Sequence, residues 1–164
     1  MDNKHLIKDI ATTFDAVIES IKDVDENSFN KIPFEDSWTI GQVTEHIVIC
    51  SGGVQDNKTG DAGRACDENL DQLRAIFLNM EEKSKASPQV TPRQPPHQKN
   101  GLIDQLESNK NHLLSIAMER DLEKLSLDME FPYMGYLTRY EWLSFICWHT
   151  QRHLNQIRNI QQQL

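Results

Sequence analysis

The chain has 164 residues, the size of one ordinary domain with enough interior to hold its own core. Its 25 Asp and Glu outnumber its 17 Lys and Arg, and the formal net charge of -8 repels phosphate backbones and argues against nucleic-acid partners. No apolar run approaches the roughly 18 residues of a membrane span, the start MDNKHLIKDI lacks the features of a secretion signal, and scattered Cys50, Cys66 and Cys147 suit a reduced cytoplasmic protein better than a disulfide framework.

Residues 4 to 26 carry Leu6, Ile7, Ile10, Phe14, Val17, Ile18, Ile21 and Val24 at helical spacing, which predicts an amphipathic helix. The segment around Pro33 reads as a loop. In SWTIGQVTEHIVIC, Thr39 followed by Gln42 is a capping box, so a second helix is expected from about residue 40 until Gly52 and Gly53 weaken it. Residues 67 to 80 predict a shorter helix with Leu70, Leu73, Ile76, Phe77 and Met80 on its face. Pro88, Pro92, Pro95 and Pro96 then forbid a helix and predict a surface crossover. A further helix is expected from Asn100, read as its N-cap, with Leu102, Ile103, Leu106, Leu113, Leu114 and Ala117 along one side. After a loop containing Phe131, Pro132, Tyr133, Gly135 and Tyr136, Thr138 and Glu141 form a second capping box, opening a last helix that runs to about residue 162. No internal repeat and no period-2 strand is evident. These elements predict an all-α, single-domain chain over 1–164: a four-helix bundle with long crossover connections and one extra short helix.

WHTQRH, residues 148 to 153, places His149 and His153 one helical turn apart. At 100° per residue, Trp142, Phe145, Ile146, Gln156 and Ile160 share their face within about 60°. One histidine on an apolar stripe is usually a satisfied core residue. Two at i and i+4, with Cβ atoms roughly 6 Å apart, can reach one ion. His46, on the stripe of the second helix with Val43, Ile49 and Cys50, is the candidate third ligand. Three histidines leave coordination positions open, as catalytic rather than structural zinc sites do. Thr150, not Glu, follows His149, so the zinc-protease pattern HExxH is absent.

SWTIGQVTEHIVIC (37–50) and FPYMGYLTRYEWLSFICWHTQRHLNQI (131–157) resemble the DinB/YfiT-like superfamily of small metal-binding four-helix bundles. The resemblance implies a DinB-like fold and one divalent metal ion, zinc or nickel, on His46, His149 and His153. It also implies a homodimer and a thiol-dependent transferase, acting on a low-molecular-weight thiol and a small electrophilic substrate. A metal-dependent hydrolase activating water is the alternative within enzymes. A non-catalytic binding or scaffold protein stabilised by its metal is the alternative outside them.

Other residues flank the histidines. Cys50 is either a fourth ligand or a small buried hydrophobe. Gln42 could orient an imidazole or serve its cap. Glu141 is favoured as a capping residue. Trp142 could line a pocket or fill core, and Arg152 could meet an anionic substrate or a surface carboxylate. His112 is expected to be solvated, and His5 and His97 are assigned nothing.

Overall fold

The computed structural model describes residues 3–81 and 85–164. Among them six helices form: α1 (Lys4–Lys22), α2 (Glu26–Phe29), α3 (Ile40–Cys50), α4 (Leu70–Phe77), α5 (Lys99–Glu119) and α6 (Arg139–Gln161). α1 packs on α5 and α6, and α3 packs on the same two helices from the other side, giving a four-helix bundle with α4 laid against α6. The apolar stripes meet in one interior: Ile10, Phe14, Val17 and Ile21 of α1, Val43 and Ile47 of α3, Leu106 and Leu113 of α5, and Leu143 and Ile157 of α6. None of these helices is long and apolar enough to cross a membrane.

Both predicted capping boxes form. Thr39 Oγ1 accepts from the Gln42 amide while the Gln42 side chain accepts from the Thr39 N–H, each at 3.0 Å. Thr138 and Glu141 make the same reciprocal pair at the start of α6. These caps fix where α3 and α6 begin, and hence which faces their histidines present.

Several features differ from the sequence expectation, among them α4, which spans Leu70–Phe77 and not 67 to 80. α1 stops at Lys22 because Asp25 caps a separate short helix, its carboxylate accepting from the amides of Asn27 and Ser28 at 3.0 Å. α5 begins at Lys99, so Asn100 lies inside the first turn and Gln98 is the cap residue, without a side-chain capping bond. Two short strands, β1 (Thr59–Gly60) and β2 (Leu125–Ser126), pair antiparallel. A two-residue strand has no alternation to show in sequence, and this pairing joins two distant loops. The described proline-rich segment before α5 holds one 3-10 turn at Pro88–Val90 and, unlike a purely surface crossover, buries Pro92 and His97.

Candidate metal centre

α3 and α6 are adjacent in the bundle, and their histidines meet where the two helices face each other. His46 is buried, with 3% of its surface exposed, while His149 and His153 are half-buried beside it. Nε2 of His149 lies 3.3 Å from Nε2 of His46 and 3.1 Å from Nε2 of His153. The three sequence-predicted ligands are thus brought together through the same ring atom.

Their tautomers follow from the partners of the opposite nitrogens. His46 Nδ1 lies 2.7 Å from the Val90 carbonyl, which can only accept, so Nδ1 carries the proton. His153 Nδ1 likewise donates to Gln156 Oε1 at 2.8 Å. Both Nε2 lone pairs are therefore free for a Lewis acid, and both rings are oriented by a second bond, as metal-ligating imidazoles generally are. Burial holds all three rings below the ordinary histidine range. His149 is depressed furthest, by burial and then by His153, His46 and the Arg152 charge. His153 is pushed down to about 4 by burial, with His46 and Arg152 adding to it. His46 is lowered by burial against the opposing Val90 bond. At neutral pH the cluster presents uncharged nitrogens, the state that coordinates metal.

The spacing of His46, Cys50 and His149 fits one ion, with His153 joined to the group through His149 Nε2. Two imidazole nitrogens about 2.0–2.1 Å from a shared tetrahedral ion lie about 3.3–3.4 Å apart, and a thiolate sulfur about 2.3 Å away lies about 3.5–3.6 Å from each nitrogen. The observed nitrogen separations are 3.3 and 3.1 Å, and Cys50 Sγ is 3.7 Å from His46 Nε2. The donor atoms of His46, Cys50 and His149 all lie within 4.8 Å of one another. Burial pushes the Cys50 thiol up to about 12, so without a cation beside it the side chain is a neutral thiol.

The sequence signature of the DinB superfamily matches residues 10–157. The chain belongs to the DinB superfamily. A solved structure, that of TT2238, described as a four-helix bundle protein, superposes with a TM-score of 0.56 at 17% identity, over 96% of this chain and 98% of that one. At that identity the likeness speaks for the shared fold. No curated protein matches the chain.

Within this DinB bundle the remaining candidates separate. Glu141 is fully buried and lies outside the histidine cluster: its carboxylate receives both terminal nitrogens of Arg64 at 2.8 and 2.7 Å and the amides of Asn69 and Thr138 at 2.9 Å each. Gln42 bonds no imidazole; beyond its cap it donates to the Arg93 carbonyl at 3.3 Å. Trp142 stacks edge-on against Phe131 and Phe145, with centroids 5.6 and 5.8 Å away, and so stands one ring behind the site. Arg152 donates to the Asn79 carbonyl just beyond α4.

Phe145 already lies on the histidine face in the sequence, where it could line a pocket; the other contributors are not assigned to the site there. Phe77 of α4 and Phe145 of α6 set their rings 5.9 and 5.5 Å from His149, and Trp38 sits 5.2 Å from His46, giving the cluster an aromatic wall. Gln156 had a signal, since it follows His153 by three residues on the same helix face. Val90 had none, because it acts through a backbone carbonyl of an irregular crossover. His97, left unassigned, is buried, and its Nε2 donates to Glu45 at 3.0 Å.

Proposed function

We propose that the chain is a divalent-metal-dependent enzyme of the thiol S-transferase type, with His46, His149 and His153 as the protein ligands. The observation that supports this reading is His149 Nε2 within 3.3 Å of the Nε2 atoms of both His46 and His153, three uncharged imidazoles beside an aromatic wall. A bound divalent ion supplies Lewis acidity that holds a small thiol as its thiolate near neutral pH.

The chain's own residues supply the rest. Val90 and Gln156 keep two ligating rings in the coordinating tautomer. Phe77, Phe145 and Trp38 exclude water and offer apolar surface to the electrophile. In the transfer a carbon–sulfur bond forms, the leaving group departs with the bonding pair, and the thiol proton passes to solvent. Glu45 and Glu141, the buried carboxylates nearest the histidines in sequence, are both engaged by arginine, so neither is poised as a general base.

Metal-loaded protein is expected to consume a small cellular thiol faster than apo protein or His149→Ala, measured with a panel of thiols against a reactive aromatic halide and an epoxide. Equal rates for loaded and apo protein across the panel would remove the transferase reading and advance the hydrolase.

Cys50 supports a second reading. Its sulfur sits at the separation expected of a fourth ligand, and a closed Cys-His site is the pattern of a structural metal. The two readings part on Cys50→Ser. An open site should keep its metal affinity within a few-fold, and its cobalt(II) form should gain a sulfur-to-metal charge-transfer band only when thiol is added. A closed site should show that band without added thiol in the unmodified protein, and should lose both band and most affinity in Cys50→Ser. Collapse of the fold on chelation would add weight to the scaffold.

A further inference from the structure

The imidazole of His46 is oriented by a backbone carbonyl that belongs to a different part of the chain, and a carbonyl orients a ring only as well as its own position is fixed. Val90 lies in the crossover that contains Pro88, Pro92, Pro95 and Pro96. Proline lacks an N–H, so such a segment has few backbone donors with which to anchor itself. The anchoring falls instead on side chains of α3 and its approach.

Glu45, the residue before His46, is the centre of that anchorage. It is an isolated acid in the Ile40–Ile47 run, in which every residue is buried. Its Oε2 accepts from the Arg93 backbone N–H at 2.6 Å and from His97 Nε2 at 3.0 Å, and its Oε1 accepts from Arg93 Nε at 2.6 Å. Gln42, one turn earlier, takes the Arg93 carbonyl. Asn30 closes the far end, donating to the His97 carbonyl at 3.1 Å and accepting from the His97 amide at 2.6 Å. His97 itself fits against Gly41, where a Cβ would lie 3.0 Å from His97 Cβ and 3.1 Å from the Phe29 ring. A buried carboxylate with three donors is a costly feature to maintain, and here all three donors come from the crossover.

We propose that Glu45 is a positioning residue of the metal centre: it clamps the 88–97 crossover to α3 so that the Val90 carbonyl holds His46 in the Nδ1–H tautomer, with Nε2 aimed at the ion. This rests on the metal reading above for its purpose. The tautomer itself is a property of the metal-free chain, and that separates the two questions.

The test compares unmodified protein, Glu45→Gln and Arg93→Ala, first metal-free and then loaded with cobalt(II). Glu45→Gln replaces one carboxylate oxygen by an NH2 group, which cannot accept, so the amide can no longer receive both Arg93 donors. In metal-free protein, long-range ¹H–¹⁵N correlation should show His46 as Nδ1–H in the unmodified chain and as a tautomer mixture in Glu45→Gln. In chelator competition Glu45→Gln should bind cobalt(II) about tenfold more weakly, within the range seen when the support of a ligating histidine is removed. Its d–d absorption should also change shape. Arg93→Ala keeps the backbone N–H and His97 bonds to Glu45, so the same changes should appear but smaller. The Arg93 side chain is 83% exposed, so that variant folds and carries the test if Glu45→Gln does not. A Glu45→Gln protein with a lower melting temperature but unchanged tautomer, affinity and cobalt spectrum would overturn the proposal and leave Glu45 a purely structural clamp. Failure of the unmodified protein to take up cobalt would sink the metal reading, and the tautomer comparison would still decide whether Glu45 sets the ring.

Discussion

Replacing His149 by alanine is expected to abolish stoichiometric metal binding. His149 is the shared member of the cluster, with its Nε2 3.3 Å from that of His46 and 3.1 Å from that of His153. Removing it takes away one donor and separates the other two. Dividing the roughly 10–16 kcal/mol of a four-ligand zinc site evenly gives about 2.5–4 kcal/mol per ligand, or about two to three orders of magnitude in affinity at about 1.4 kcal/mol per decade. His153→Ala should approach the same loss. Metal content after dialysis, read by elemental analysis, and zinc affinity by chelator competition measure it directly. A second signature needs no affinity value: the melting temperature of unmodified protein should drop when chelator is added, while that of His149→Ala should be indifferent, because only a chain that binds the ion gains from it by mass action. A His149→Ala, His153→Ala double variant that kept full metal occupancy would remove the site.

What the sequence made legible was local. A capping box is complete within four residues, so Thr39 with Gln42 and Thr138 with Glu141 could be read before any packing was known. The His149–His153 pair is likewise fixed by one turn of helix. His46 could be proposed because its stripe was apolar, and the bundle then set that stripe against α6. What sequence could not reveal was non-local. The β1–β2 pairing joins two loops, and the Val90 carbonyl belongs to no side-chain pattern. His97 looked like a loop histidine because nothing nearby in sequence announces Glu45 as its partner. Glu141 was read correctly as a cap, but half of its role, the bidentate hold on Arg64, comes from the loop before α4. Cys50 shows the same limit: its spacing from His46 is plain in the sequence, while the 3.7 Å that makes it a candidate ligand depends on rotamers.

That Arg64–Glu141 pair supports the largest expected change in stability. Arg64→Met should destabilise the fold by about 3 kcal/mol or more at neutral pH, because it strands a buried carboxylate without its counter-charge. Glu141→Gln should cost less, since Arg64 is 19% exposed and can turn to water whereas the Glu141 side chain is 0% exposed and cannot. The pair ties together the amide of Asn69, where α4 begins, and the amide of Thr138, where α6 begins. α4 carries Phe77 and α6 carries Phe145, His149 and His153, so the loss should also loosen the aromatic wall. The pH dependence distinguishes this mechanism from simple loss of packing. Burial pushes the Glu141 carboxyl up, but Arg64 and the Thr138 and Asn69 amides together outweigh it and hold the group below its usual value. A folded-state value below the unfolded one means that the carboxylate's contribution is fully present above the unfolded value, about 4.3. It is lost as pH falls through the lower folded one. Arg64→Met removes the strongest of the downward influences, so its Glu141 should protonate at a higher pH and be relieved of its stranded charge sooner. Urea unfolding of the two proteins should therefore show a stability gap that is widest near pH 7 and narrows as pH falls below about 4.3. A gap of constant size across that range would mean that Arg64 stabilises the fold through packing and not through its charge.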